Sequence, residues 1–212
     1  MTRLATLCGV LVLASSTVPV AQRLTDADIA EAISRGKAGD LKPLISDCVA
    51  TASVGSFFSA GLTGDGRTGS YDVVVSTHIG RIAVMAADAA RRYEDFDISD
   101  VEDDMRDPGL FVSVDPTRPQ SVSNLPSLID HVVLKSKAKS ADVVQPITIA
   151  QFPVEFGNLF GATFDANRAV ARFDYAAVTS MPDDDFDVVV ITADGERRCK
   201  VGTKDQRRLF SS

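Results

Sequence analysis

The chain has no tryptophan, and only two histidines and three cysteines in 212 residues. Without Trp, any aromatic platform for sugars or unstacked bases must be built from 11 Phe and 3 Tyr. Two histidines exclude a metal centre made of several imidazoles. Neither His78 nor His131 has a second ligand at i+3 or i+4, so no metal site is expected. Three cysteines are too few for a small disulfide-stapled scaffold, and none belongs to a C-x-x-C pair of the thioredoxin kind. A G-x-S-x-G nucleophile elbow is also missing. Basic residues are in deficit, 22 Lys plus Arg against 29 Asp plus Glu for a formal charge of −7. With no cationic excess to displace counterions from a phosphate backbone, no nucleic acid is expected as a partner.

Long apolar runs are scarce as well, with one exception at the start. Arg3 precedes Leu4–Ala14, an uninterrupted and mostly apolar stretch of the length found in export signals, followed by Ser15, Ser16 and Thr17. Residues 1–21 therefore read as a signal peptide, cut after Ala21 or after Ser16, or retained as an uncleaved anchor. Cys8 lies inside the apolar run and is not placed as a lipoprotein cysteine. No later stretch is long enough to span a bilayer, so the mature chain is expected to be exported, periplasmic or extracellular, with no membrane span.

Composition is otherwise that of a globular protein, 45% hydrophobic and 24% charged. Thr25 and Asp28 form a capping box with Leu24 and Ile29 as its staple, predicting a helix that ends at Gly36 or Gly39. Cys48–Val54 alternates like a strand, and Ser70–Ser76 is a second one. Ile79–Tyr93 predicts a helix with Ile82, Ala86, Ala89 and Tyr93 on one stripe and an Asp88–Arg92 pair on the other side. Ser99 and Glu102 repeat the capping box ahead of Asp107-Pro108-Gly109, and Gly109–Val114 is a strand. Residues 116–126 form a Pro-containing loop that separates an α/β part, 22–115, from a β-rich part, 127–212, or simply joins them within one domain.

Strands are expected around Ile129–Leu134 and Ile147–Phe152, and a hairpin of the segments ATF and AVARF turning at Asp165–Arg168. Phe186–Thr192 and Glu196–Val201 form a hairpin around Asp194-Gly195, the residues favoured by a type I′ turn. Thr203 and Gln206 cap a closing helix through Phe210. The fold class is α+β: mixed to antiparallel sheet with a few flanking helices and a β-rich C-terminal half.

The register of the last hairpin sets Val190 opposite Cys199 and Val188 opposite Val201, so Cys199 shares an apolar face with Val188, Val190 and Val201. Cys48 lies on the Ala50–Ala52–Val54 face of its strand. Two inward cysteines in a chain bound for an oxidising compartment predict a Cys48–Cys199 disulfide; two separate buried thiols are the alternative.

Few residues carry chemistry. Gly64–Gly69 matches G-x-G-x-x-G but opens a strand instead of a helix, which fits a hairpin loop better than a dinucleotide site, and no cofactor is expected. Ser76–Arg81 joins a strand to a helix N-terminus, where free amides, Thr77, His78 and Arg81 are candidates for holding an anion. His131, between Ile129 and Val133, reads as a core or edge-strand residue. Asp183, Asp184, Asp185 and Asp187 lack the Gly and closing Glu of a calcium loop and read as a solvated turn. The pattern points to a non-catalytic binding or interaction module of the cell envelope, with an envelope protein or a small ligand as partner. The alternative is a secreted hydrolase with dispersed residues and His78 as its first candidate base.

Overall fold

The computed structural model describes residues 22–42, 44–52, 69–119, 125–137, 142–159, 162–181 and 185–210. The leader at 1–21, all but Gly69 of the glycine-rich loop, and Asp183 and Asp184 lie outside the described residues. The strands are β1 (Ile45–Ala52), β2 (Tyr71–Thr77), β3 (Gly109–Pro116), β4 (Ile129–Ser136) and β5 (Val143–Val144). After these come β6 (Thr148–Leu159), β7 (Ala162–Asp174), β8 (Phe186–Thr192) and β9 (Gly195–Val201). All pair antiparallel in one curled sheet of order β5-β4-β8-β9-β1-β2-β3-β7-β6. The helices are α1 (Asp26–Lys37), α2 (His78–Arg91), α3 (Tyr175–Thr179) and α4 (Thr203–Phe210).

The curl follows from alternation. Val73 and Val75, Leu110, Val112 and Val114, Ala171 and Phe173, and Val188 and Val190 each repeat every second residue, so one face of each of these strands is apolar. Turning those faces toward one another makes the concave side the core, where each buried Val or Phe contributes about 1.5–3 kcal/mol. The curl brings β4 up to β7 without a backbone ladder between them. Asn167 on β7 substitutes for that ladder: its Oδ1 accepts from the Ile129 amide at 2.6 Å, and its Nδ2 donates to the Ile129 carbonyl at 2.9 Å. Gln151 Nε2 donates to the same carbonyl at 3.0 Å.

The first helix forms as the sequence predicts. Thr25 and Asp28 make the reciprocal box, Leu24 and Ile29 are buried together, and Gly39, at φ 75°, follows the C-cap residue Ala38. Gly36 has a different task. A Cβ there would lie 2.2 Å from the Ala83 carbonyl oxygen, so Gly36 lets α1 sit against α2. Ile82, Ala86 and Ala89 of α2 join Ile29, Ile33, Phe96 and Val101 in a second core on the outer side of the sheet.

Several expectations are corrected. Tyr93 leaves the apolar stripe: it follows the C-cap residue Arg92 at φ 59° and is 98% exposed. Asp88 pairs with Arg91 at 2.8 Å, one residue short of the expected partner, while Arg92 pairs with Glu94 at 2.9 Å. The capping box near residue 100 belongs to Asp97 and Asp100, because the segment forms two short 3₁₀ turns, Ile98–Asp100 and Asp103–Arg106. Asp97 there accepts from the Ser99 amide at 2.7 Å. Residues 165–168 are the middle of β7 and make no turn; the polar run there supplies Asn167 to the β4 contact.

The last hairpin pairs Val188 with Cys199 and Val190 with Arg197, two residues away from the expected register. Its turn is Ala193–Asp194, and only Gly195 takes positive φ, 109°, which rules out type I′. A shift of two preserves the face of every residue, so Cys199 still points inward. Thr203 does not cap Gln206; its amide and hydroxyl donate to Asp185 Oδ1 at 2.6 Å each, and the Gln206 amide goes to the Gly202 carbonyl.

Candidate functional site

The short path from β2 into α2 builds the site. Thr77 ends the strand and caps the helix, so α2 folds back over the convex face of β2, β3, β7 and β6. Gly80 permits the close approach, since a Cβ would lie 2.3 Å from the Leu44 carbonyl oxygen. The convex face carries the residues that alternate with the core: Val74 and Ser76, Ser113 and Asp115, Arg168 and Val170, and Phe152. Between these and α2 runs a groove of about 720 Å³. Arg81, Val84, Met85 and Asp88 of α2 form its upper wall, and Phe152, 49% exposed, lies on the sheet side.

The groove is charged at intervals and apolar between them. Arg168 pairs with Asp115, Arg91 with Asp88 and Arg92 with Glu94. Arg81 makes no ion pair among the described residues. Its one hydrogen bond is a long donation from Nη1 to Ser113 Oγ at 3.4 Å. Burial lowers the pKa of its guanidinium from the ordinary value, the Asp88 charge opposing, and an arginine remains a cation throughout.

The three residues expected to hold an anion do not converge. The Thr77 hydroxyl accepts from the Gly80 amide and is used as the helix cap. His78 is 6% exposed and does not line the groove. Burial lowers the pKa of its ring, partly offset by a hydrogen bond to the Gln22 backbone; Arg172 lowers it further and Asp28 raises it. Its Nδ1 has no hydrogen-bond partner. Arg81 alone of the three faces the groove.

Elsewhere the polar residues are occupied by the fold. Cys48 and Cys199 sit at disulfide distance with Cα atoms 5.9 Å apart, bridging β1 and β9. Asp185 receives Thr203 and pairs with Lys200 at 2.9 Å, contacts that push its carboxyl down to about 2. Asp187 pairs with Lys137 at 3.4 Å. A bulge between Ile129 and His131 breaks the expected alternation, and His131 Nε2 meets Gln145 Oε1 at 2.9 Å.

At one end of the concave core, Tyr71 donates to the Ser127 carbonyl at 2.6 Å, and burial pushes its pKa up to about 12. The Ser127 hydroxyl bonds Asp194, and Arg197, 3% exposed, donates to the Gly69 carbonyl at 3.3 Å. No histidine belongs to this cluster. Among the described residues no His, Cys, Asp and Glu group is arranged to hold a metal, and no helix is long and apolar enough to cross a membrane.

Sequence reasoning missed Phe152, Arg168, Asp115 and Ser113 as groove residues. Strand parity marks them as outward, but only the β2-β3-β7-β6 order makes them neighbours. It also passed over Arg197, although two-residue spacing from Cys199 puts it on the core face. No protein-family model, curated protein or solved structure matches the chain.

Proposed function

We propose that the chain is an exported, non-catalytic binding protein that takes a small ligand in the groove between α2 and the convex sheet face. The groove carries this reading. Its volume of about 720 Å³ lies within the range of small-molecule sites, and its lining combines apolar residues such as Val170, Phe152 and Met85 with a largely ion-paired set of charged groups. Turnover has weaker support: His78, the base of the hydrolase alternative, is 6% exposed and outside the groove. Export is supported by the apolar Leu4–Ala14 run and by two cysteines at disulfide distance.

The test uses the full chain expressed in a bacterial host. Export predicts a product in the periplasm or medium whose mass begins after the leader and whose body cysteines resist alkylation until reduced. A Met1-bearing product with two free body thiols overturns it. Fragment screening by amide NMR is expected to shift signals of Ser113, Val170 and Met85. A library that moves none of them overturns the ligand reading.

A further inference from the structure

We propose that the ligand of this groove is a small organic acid, its single carboxylate seated on Arg81 and its apolar body lying along Val170, Phe152 and Met85. This rests on the groove being a ligand site. Every other arginine of the lining has its own carboxylate: Arg168 has Asp115, Arg91 has Asp88 and Arg92 has Glu94. Among the described residues Arg81 pairs with none, and one of its five N–H donors is engaged, at 3.4 Å.

Its place on the helix sharpens the imbalance. Arg81 lies at the start of α2, where the helix dipole is positive and where acids are normally favourable. The first turn of α1 carries Asp26 and Asp28; the first turn of α2 carries no acid. A half-buried guanidinium at a positive helix end, within the fields of Asp88 and Asp115 but in an ion pair with neither, leaves its donors available. An incoming carboxylate matches its planar fork.

The surroundings limit that charge to one. Asp88 and Asp115 act on Arg81 from either side and already belong to other arginines, and Asp95 and Asp100 also line the groove, so a dianion such as a phosphate monoester would meet an acidic lining with one unpaired guanidinium. Val170, Phe152 and Met85 continue from this point as an apolar surface suited to an alkyl or aryl body.

The probes are octanoate, octanamide and octylammonium, titrated into the full-length protein and followed by amide NMR. Octanoate is expected to shift Arg81 and Ser113 and to bind about tenfold or more tighter than octanamide, with octylammonium giving no groove shifts. Arg81→Gln is expected to weaken octanoate by about the same factor and leave octanamide unchanged. Arg81→Lys, which keeps the charge but not the fork, should fall between. The free Arg81→Gln protein should melt no lower than the parent, because the Arg81 guanidinium makes no ion pair among the described residues and its one hydrogen bond is long. Equal groove binding of octanoate and octanamide, indifferent to Arg81→Gln, overturns the organic-acid assignment while leaving the groove as a ligand site. No groove shift with any of the three at millimolar concentration overturns both. The three-probe comparison needs no variant, so poor folding of Arg81→Gln does not remove the test.

Discussion

The two flanks of the curled sheet treat their outer faces differently. On β2, β3, β7 and β6 the outer positions include Val74, Ser76, Phe111, Ser113 and Val170, and the helical layer of α1 and α2 lies over part of them. On β4, β8 and β9 the outer positions carry ion pairs, Lys137–Asp187, Lys200–Asp185 and Arg198–Glu196, around Val133 and Val189, which are buried. Each of those pairs contributes little. A covered face must match its cover, and the groove is the place where α2 and the strands do not meet. The candidate site arises from incomplete coverage of one flank.

The flanks meet along two seams. At one, β1 and β9 pair through Thr51–Arg198 and Ala52–Arg197, with Cys48 and Cys199 beside them. At the other, Asn167 and Gln151 hold Ile129. Opening the first seam has the largest expected effect. Replacing Cys48 and Cys199 together by serine should lower stability by about 3–5 kcal/mol, read from denaturant unfolding against the oxidised parent. A double variant as stable as the parent would remove the bridge from this account.

Opening the second seam comes next. Asn167→Ala leaves the Ile129 amide without its side-chain partner and the carbonyl with Gln151 alone, and should cost about 1–3 kcal/mol. Hydrogen exchange should show the loss first at Ile129; uniform loss across the sheet would mean that the seam is not a separate element.

Smaller changes sharpen the contrast between the flanks. Gly36→Ala forces α1 away from Ala83 and should cost about 1–3 kcal/mol, with faster exchange in α1 and α2 and none in β8 or β9. Tyr93→Gly should gain about 1 kcal/mol, since a tyrosine holds the left-handed position after α2 with its ring 98% exposed. A higher melting temperature with unchanged octanoate affinity checks this last point; a lower one would show that the ring has a folded-state contact.

The same contrast explains what was legible in the sequence. In the Gly195–Val201 strand Arg197, Cys199 and Val201 are buried and alternate with Arg198 and Lys200, so the pattern is clean and the inward direction of Cys199 survived a two-residue error in register. The α1 box is a local signal contained within four residues and was readable for that reason. The long β7 was not, because Asp165–Arg168 has the composition of a turn, while Asn167 takes its reason from Ile129, 38 positions away. Arg81 was singled out for a helix-end site with Thr77 and His78, yet its actual neighbours, Ser113 and the Arg168–Asp115 pair, come from strands whose order no local pattern encodes.

The seam between β1 and β9 also sets an order of events in time. Some strand partners arrive promptly: β7 follows β6, and β9 follows β8, across short connections. β1 gains β2 as one neighbour, but its other is separated from it by nearly the whole chain, with 151 positions between the two cysteines. At about 5–20 residues per second of synthesis, β1 waits roughly 8–30 s before β9 exists. That pairing spans the longest sequence separation in the sheet, so its closure carries the largest loop entropy cost of any.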